Sequence, residues 1–294
     1  MSEQLRVGWI GTGVMGAPMA GHLLAAGFPL TVFSRTKAKT DVLVAKGAVW
    51  APTPAEVTER SDIVFSIVGM PEDVRETYLG PKGVIAAFKK GQIAVDMTTS
   101  PPSLAIEIAD AARTKGGVGL DAPVSGGQAG AEGARLSIFV GGDAEAHQKV
   151  LPLFQKMGKT ITHLGAAGSG QHCKMVNQIL IAGGMLALAE SITYAKSCGI
   201  KADAALEAVA QGAAASWSLQ NLGPRILKDD FKAGFFVDHF VKDLGIALTE
   251  ARRMKLALPT LALAEQLYVA LQAQGHGRLG TQSIAKVYEG LAGK

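Results

Sequence analysis

Lys174 is followed at helical spacing by two amide side chains, Asn177 and Gln178. Residues three and four positions apart on a helix lie on one face, so these three side chains can converge on one small molecule. Burial in a cleft disfavours the charged form of a lysine, which moves its pKa towards neutrality and lets it exchange protons. By themselves, however, the three residues fit a surface lysine beside two amides better than a catalytic group.

A glycine-rich turn near the start of the chain is a second candidate site. It follows an apolar run typical of a strand, Leu5 to Ile10, and opens a helical pattern that ends at Gly27. In this context the glycines allow a tight turn, admit a pyrophosphate to the backbone and let the helix pack closely on the strand. The free N–H groups and the positive end of the helix then hold the anion. The turn therefore predicts a dinucleotide site, formed by Gly11, Thr12, Gly13, Val14, Met15 and Gly16.

The end of the second predicted strand bears on the choice of cofactor. An NAD-binding chain usually places a carboxylate there, which accepts a hydrogen bond from the ribose 2′-hydroxyl. Here the segment is Ser34-Arg35-Thr36, without a carboxylate. The guanidinium of Arg35 can bind a 2′-phosphate as a fork, so we predict a preference for NADP, with NAD as the possible alternative. Stacking of Arg35 on the adenine would fit either cofactor.

The first half of the chain alternates short apolar runs with helical patterns, and the second half does not. This alternation is typical of a doubly wound, mostly parallel α/β sheet of the Rossmann type. After Gly168 the periodicity is helical and long. We predict a Rossmann domain over residues 1–165 and an all-α domain over residues 166–294, the latter for substrate binding and oligomerisation. The further strands are predicted at Ile63–Val68, Ile93–Met97, Gly119–Ala122, Leu136–Val140 and Thr160–Leu164.

A second glycine-rich segment, Ser125-Gly126-Gly127, follows a predicted strand at the edge where α/β sheets bind ligands. It offers a hydroxyl and unhindered backbone N–H groups, which suit a carboxylate. We therefore predict a small carboxylate substrate there, in preference to a loop of no chemical role.

These motifs together resemble the β-hydroxyacid dehydrogenase family over nearly the whole chain. That family includes 3-hydroxyisobutyrate dehydrogenase, tartronate semialdehyde reductase and the glyoxylate/succinic semialdehyde reductases, and it is related to 6-phosphogluconate dehydrogenase. The resemblance implies that the segment Asp121 to Gly127 binds substrate and that Lys174 is the catalytic lysine. It also implies that Lys242 reaches cofactor and substrate, although a Lys-Asp pair such as Lys242-Asp243 is otherwise usually a solvated surface feature. The cofactor loops that it implies contain Met70, Pro71 and Thr99.

Gln178 departs from the family pattern, in which many members have Asn four residues after the lysine. The tartronate semialdehyde reductases are similar to this chain in having Asn followed by Gln. A 6-phosphogluconate dehydrogenase would instead carry His-Asn and a much longer C-terminal half. The substrate subtype therefore stays open at this position.

Composition narrows the possible partners and the compartment. The net charge is +4, but the basic residues are dispersed, so we expect anionic small molecules and no nucleic acid. The two cysteines form no disulfide framework and have no partners at metal-ligand spacing, which favours the cytoplasm and no metal. The apolar stretch Ile179 to Ala189, closed by Glu190, is too short to span a bilayer, so we expect a buried helix, no membrane and a homodimer or homotetramer.

The combined prediction is an NAD(P)-dependent β-hydroxyacid dehydrogenase or semialdehyde reductase. Lys174 exchanges the proton, Asn177 and Gln178 orient the lysine or the substrate, and the site lies in a cleft between the two domains. An imine reductase of the same architecture is one alternative, although those relatives usually replace the lysine by Asp or Tyr. A nucleotide-binding protein without catalysis is the other, which the retained Lys174 disfavours.

Overall fold

The computed structural model describes residues 5–293, which divide into two compact units, with the division between Lys174 and Met175. The chain passes from one unit to the next within a single long helix. The predicted domains, 1–165 and 166–294, place their boundary a few residues earlier.

The first unit contains a six-stranded parallel sheet in the order β3-β2-β1-β4-β5-β6. This is the doubly wound order of a dinucleotide-binding fold, with the change of winding direction beside β1. Strands β1, β4 and β5 are buried throughout, as expected for a parallel sheet that helices cover on both faces. The six strands are β1 Val7–Ile10, β2 Leu30–Phe33, β3 Val49–Trp50, β4 Ile63–Ser66, β5 Ile93–Asp96 and β6 Val118–Asp121.

A separate three-stranded sheet follows, in the order β7-β8-β9, with one antiparallel and one parallel pair. The alternation of strands and helices predicted the longer two of these strands but did not indicate a second sheet. An antiparallel bridge between Asp121 and Gly141 joins the end of β6 to the end of the middle strand. The strands are β7 Val124–Ser125, β8 Leu136–Val140 and β9 Gly158–His163.

Helices cover the sheets of the first unit. Several begin with side-chain caps; for example, Asp143 accepts a hydrogen bond from the backbone N–H of Ala146 at 2.8 Å. The core contains Trp9 stacked on Phe65, with ring centroids 5.5 Å apart. The helices are α1 Gly16–Ala25, α2 Asp41–Val44, α3 Pro54–Glu59, α4 Pro71–Leu79, α5 Pro102–Thr114, α6 Gly127–Glu132 and α7 Ala144–Phe154, with 3₁₀ turns at Lys37–Thr40 and Ile85–Ala87.

The long helix α8, Ser169–Ser197, carries the chain into the second unit. It extends beyond the apolar stretch Ile179 to Ala189 at both ends, and Glu190 lies on an exposed face of the helix. By length and composition alone α8 is apolar enough to cross a bilayer, and 44% of its most apolar window is buried inside the protein. Core helices of soluble proteins meet the same criterion, so α8 carries no membrane assignment.

The second unit is mostly helical in its described residues, as predicted, around a core that includes Phe240, Leu244 and Tyr268. The rings of Phe240 and Tyr268 meet edge to face at 4.9 Å. Besides α8, its helices are α9 Ala202–Val209, α10 Trp217–Asn221, α11 Gly223–Ile226, α12 Val237–Arg253, α13 Pro259–Ala273 and α14 Ala285–Leu291, with a 3₁₀ turn at Thr281–Ile284.

Candidate active site

The turn from Gly11 to Gly16 joins β1 to α1. Gly11 has a φ of +94°, and a Cβ atom there would overlap the carbonyl oxygen of Ile67. A Cβ on Gly16 would overlap the carbonyl oxygen of Gly11. The packing of the turn itself therefore requires both glycines, because a side chain at either position collides with backbone.

Gly13 differs from these two glycines. A Cβ placed on it would have no neighbour within 4 Å, and its φ lies outside the left-handed region. Neither packing nor backbone conformation of the protein requires glycine at this position. An open surface there allows a phosphate group to approach the backbone. The adjacent Thr12 hydroxyl is buried without a hydrogen-bond partner, which also fits a ligand at this turn. The turn is thus suited to a dinucleotide.

The guanidinium of Arg35, just after β2, is held by a carboxylate. Its Nη1 atom donates to Oδ1 of Asp73 at 2.5 Å, and its Nη2 to Oδ2 at 3.3 Å. Asp73 lies in the first turn of α4 and also accepts a hydrogen bond from the backbone N–H of Met70. Arg35 and Thr36 are exposed and Ser34 is half-buried. A carboxylate thus reaches this edge from α4, although the sequence after β2 contains none.

Two loops that the resemblance assigned to cofactor binding are joined by a hydrogen bond. The hydroxyl of Thr98, after β5, accepts a hydrogen bond from the backbone N–H of Val68, after β4, at 3.0 Å. Met70 is exposed, and Pro71 begins α4. Thr99 is half-buried and lies between two buried residues, Thr98 and Ser100. The loops after neighbouring parallel strands therefore hold one another at the edge of the sheet where ligands bind.

Asp96, the last residue of β5, is hydrogen-bonded to the end of β4 and to the loop after β5. Its Oδ1 atom accepts hydrogen bonds from the hydroxyl of Ser66 at 2.9 Å and from the backbone N–H of Thr98 at 3.0 Å. The Ser66 hydroxyl also lies 2.8 Å from the hydroxyl of Tyr78. Burial raises the pKa of Asp96 to about 6, against the hydrogen bonds that favour the charged form.

Asp121 occupies the matching position on the neighbouring strand, in register with Asp96. Its two carboxylate oxygens accept hydrogen bonds from the backbone N–H of Gly168 at 2.7 Å and of Gln171 at 2.8 Å. Asp121 thereby caps the beginning of α8, where unpaired N–H groups and the helix dipole favour a negative charge. Burial raises the pKa of Asp121, and those backbone hydrogen bonds oppose the change.

The segment predicted to bind a carboxylate begins in β7 and continues into α6. Ser125 is half-buried. Gly126 and Gly127 have φ values of +130° and +60°, which favour glycine. Successive backbone N–H groups in a turn of this kind can form an anion-binding concavity, so the segment is suited to a carboxylate.

Lys174 lies one and a half turns into α8 and is buried, with 6% of its surface exposed. Its Nζ atom donates a hydrogen bond of 2.8 Å to the carbonyl oxygen of Val124. Val124 immediately precedes Ser125, so the lysine is anchored beside the predicted substrate segment. The interpretation from the residues alone, a surface lysine, is wrong because this turn of α8 packs against the segment from β6 to β7.

The remaining predicted residues lie in the second unit, where Asp243 organises them. Its Oδ2 atom accepts a hydrogen bond of 2.6 Å from the amide of Gln178, whose Oε1 accepts one of 2.7 Å from Asn177. The Nζ atom of Lys242 lies 3.1 Å from Asp243 Oδ1, with side-chain exposures of only 10% and 1%. The general alternative, a solvated Lys-Asp pair, does not apply here, because Asp243 lies on the core-facing side of α12.

Comparison with known proteins gives the family that the sequence motifs resemble. The family model described as the NAD binding domain of 6-phosphogluconate dehydrogenase matches residues 6–165. The model described as the NAD-binding domain of NADP-dependent 3-hydroxyisobutyrate dehydrogenase matches residues 168–288. The chain belongs to the β-hydroxyacid dehydrogenase family. It is an oxidoreductase that uses a nicotinamide cofactor, as the sequence predicted.

Individual relatives are similar over nearly their full length. A probable 3-hydroxyisobutyrate dehydrogenase-like protein of Arabidopsis thaliana, named as mitochondrial, is 52% identical over 97% of this chain and 86% of its own length. The 2-hydroxy-3-oxopropionate reductase of Escherichia coli is 38% identical, over 98% of both chains. The structure of Mycobacterium tuberculosis 3-hydroxyisobutyrate dehydrogenase with L-serine has a TM-score of 0.89 and 28% identity, and the match covers 97% of this chain and 99% of that one.

Proposed function

We propose that this family member interconverts a small β-hydroxy acid and its aldehyde or ketone, with Lys174 as general acid and base. One observation carries the proposal: the buried Lys174 amine is hydrogen-bonded to Val124 at 2.8 Å, directly beside Ser125 and the two glycines. The cofactor turn and these groups all belong to the first unit. A proton donor and an anion-binding segment are thus adjacent on the domain suited to a dinucleotide.

The residues of the chain would divide the chemistry as follows. A bound nicotinamide supplies or accepts the hydride. The Ser125 hydroxyl and the N–H groups of Gly126 and Gly127 hold the substrate carboxylate. Lys174 gives a proton to the developing alkoxide in reduction and takes the hydroxyl proton in oxidation. Asn177, Gln178 and Lys242 keep their predicted roles, the amides in orientation and Lys242 as a cofactor and substrate ligand.

The proposed cofactor is NADP. Support comes from the absence of a carboxylate after β2, from the exposed Arg35 and from the description of the second family model. Ser34, Arg35 and Thr36 would bind the 2′-phosphate, for which Arg35 must exchange or share its partner Asp73. NAD is the alternative, since the Asp73 carboxylate repels a 2′-phosphate.

We also propose a cytoplasmic homodimer or homotetramer. Two apolar side chains one turn apart on α8, Val176 and Leu180, are 58% and 72% exposed in the single chain, and apolar residues in such a row are often covered by another subunit. Light scattering should give a multiple of 30.5 kDa, and the double variant Val176→Glu/Leu180→Glu should shift towards the monomer. A wild-type monomer mass would contradict the proposal.

The function is tested by following nicotinamide absorbance with a panel of acids and semialdehydes and both cofactors. The panel should contain 3-hydroxyisobutyrate, tartronate semialdehyde, succinic semialdehyde and glyoxylate, with L-serine added because a related structure contains it. Turnover of at least one compound, lost in Lys174→Ala, is expected. A cyclic imine belongs in the same screen: reduction of the imine alone would favour an imine reductase, and no turnover at all would favour a nucleotide-binding protein without catalysis.

A further inference from the structure

Gln171 lies in the first turn of α8, and its side chain is fully buried. Its Nε2 atom donates a hydrogen bond of 2.8 Å to the carbonyl oxygen of Thr98. Its Oε1 atom accepts one of 3.0 Å from the backbone N–H of Ser100. Both ends of one amide are therefore bonded to the loop after β5, on the two sides of Thr99.

The backbone of the same glutamine is held by the neighbouring strand. Its N–H group donates to Asp121 at 2.8 Å, as that of Gly168 does at 2.7 Å. A Cβ on Gly170 would lie 2.7 Å from the carbonyl oxygen of Asp121 and 2.8 Å from its Oδ2. The first turn of α8 thus packs tightly against the ends of β5 and β6 and has little freedom to move along its axis.

Lys174 follows Gln171 by three residues, one turn along the same helix. Residues at this spacing lie on the same side of a helix, and a helix turn transmits a displacement of its beginning to the next turn. The hydrogen bond from Lys174 to Val124 therefore depends on where the amide of Gln171 fixes the helix. The same amide fixes the two peptide groups that flank Thr99, the residue predicted to contact the cofactor.

We propose that Gln171 is a positioning residue that sets the proton-exchanging amine of Lys174 relative to the cofactor loop around Thr99. The inference rests on the proposed role of Lys174 and extends it. Glutamine is suited to this task because it supplies both a donor and an acceptor. A buried apolar side chain of similar length supplies neither. With such a side chain, these hydrogen bonds between the first turn of α8 and the loop after β5 are lost.

Gln92 offers a matched control in the same unit. It is also buried, and its amide binds the backbone of another loop: Nε2 donates to Thr58 and Ser61 at 2.8 and 2.6 Å, and Oε1 accepts from Lys89 at 2.6 Å. The amide of Gln92 holds neither the loop after β5 nor α8. Gln171→Met and Gln92→Met therefore remove similar buried hydrogen bonds, but only the first removes bonds beside Lys174 and Thr99.

The experiment measures three quantities for each variant: Tm, the Kd for NADP⁺ from a fluorescence titration without substrate, and kcat. Both variants should lose thermal stability. Gln171→Met should also lose about 10–100-fold in kcat, because misplaced reacting groups carry costs of that size, and its Kd for NADP⁺ should rise. Gln92→Met should keep both within about twofold of the wild type.

A milder variant keeps the test decisive if Gln171→Met does not fold. Gln171→Asn retains an amide that is one methylene shorter, so its kcat should lie between those of the wild type and the methionine variant. The proposal is overturned if the Gln171 variants that fold lose stability but keep kcat and Kd near the wild-type values. A Lys174→Ala variant with normal kcat would instead refute the proposed function, which makes the two failures distinguishable.

Discussion

The Nζ atom of Lys174 lies 2.8 Å from the carbonyl oxygen of Val124, to which it donates a hydrogen bond. Val124 is the residue before Ser125, and the two form the short strand β7. A lysine from α8 is thus held at the beginning of the segment proposed to bind the substrate carboxylate. A general acid or base held in place by such a hydrogen bond needs little reorganisation before proton transfer.

Replacing Lys174 by Ala should lower kcat by about 10²–10⁴-fold, the usual contribution of a general acid or base. The Kd for NADP⁺ should stay close to the wild-type value, because the glycine turn that holds the phosphates is untouched. Lys196→Ala, at the exposed end of the same helix, is the control and should leave kcat unchanged; its Nζ atom forms an ion pair with Glu289 at 3.1 Å. A near-normal kcat in Lys174→Ala would remove the lysine from the mechanism.

The doubly wound sheet and the glycine turn of the first unit were predictable from the sequence. The four buried residues of β1, and the glycines that follow them, are local patterns, and a regular alternation of strand and helix fixes a doubly wound sheet. The position of Lys174 was predictable only through the family resemblance, because its helix has no marked polar and apolar faces that would show which side is buried.

Other features depend on contacts between distant residues and could not be predicted from the sequence. The amide of Gln171 binds backbone groups 71 and 73 positions away, and no local pattern identifies such partners. Asp73 reaches Arg35 across 38 residues, so the carboxylate at the cofactor edge was missed. Strand β7 has two residues, too few for a period of two to be recognised.

Substitution by alanine should have different effects at Gly13 and at Gly16 of the turn. Gly13→Ala should fold with a Tm close to that of the wild type, because its Cβ has no neighbour within 4 Å. Its Kd for NADP⁺ should rise by at least about tenfold, or ~1.4 kcal/mol of binding free energy, because the methyl group occupies the space proposed for phosphate. Gly16→Ala should instead lower Tm, since its Cβ meets the backbone of Gly11. Unchanged cofactor affinity in Gly13→Ala would place the phosphates elsewhere.

Asp73 should weaken NADP binding through its ion pair with Arg35. Asp73→Asn removes the charge but keeps an oxygen that can accept from Met70, so α4 keeps its cap. Exposed ion pairs are worth about 0.2–1 kcal/mol, and the Kd for NADP⁺ should therefore fall by up to about fivefold while that for NAD⁺ changes little. Arg35→Ala should raise the Kd for NADP⁺ and leave that for NAD⁺ nearly unchanged. If Arg35→Ala raised the Kd for both cofactors equally, Arg35 would stack on the adenine and would not bind the 2′-phosphate.

Asp96 should make the fold less stable as the pH rises towards neutrality. Burial raises its pKa from 3.8 to about 6, so the folded protein binds this proton more tightly than the unfolded chain does. The stabilisation from the proton is complete below the unfolded pKa and is lost as the pH rises through about 6. One pKa unit corresponds to about 1.4 kcal/mol, which limits the loss to roughly 3 kcal/mol.

The measurement is the Tm of wild type and Asp96→Asn at a series of pH values from 4 to 8, a range chosen to span about two units on either side of 6. Asparagine keeps an oxygen for the hydrogen bonds from Ser66 and Thr98, so the variant should gain stability relative to the wild type as the pH rises. Asp62→Asn provides a control of opposite sign, because the side-chain hydrogen bond from Arg6 lowers the pKa of Asp62 and its contribution is lost as the pH falls. Parallel Tm curves for wild type and Asp96→Asn would mean that Asp96 keeps an ordinary pKa, since a group that titrates alike in folded and unfolded chains cannot make stability depend on pH.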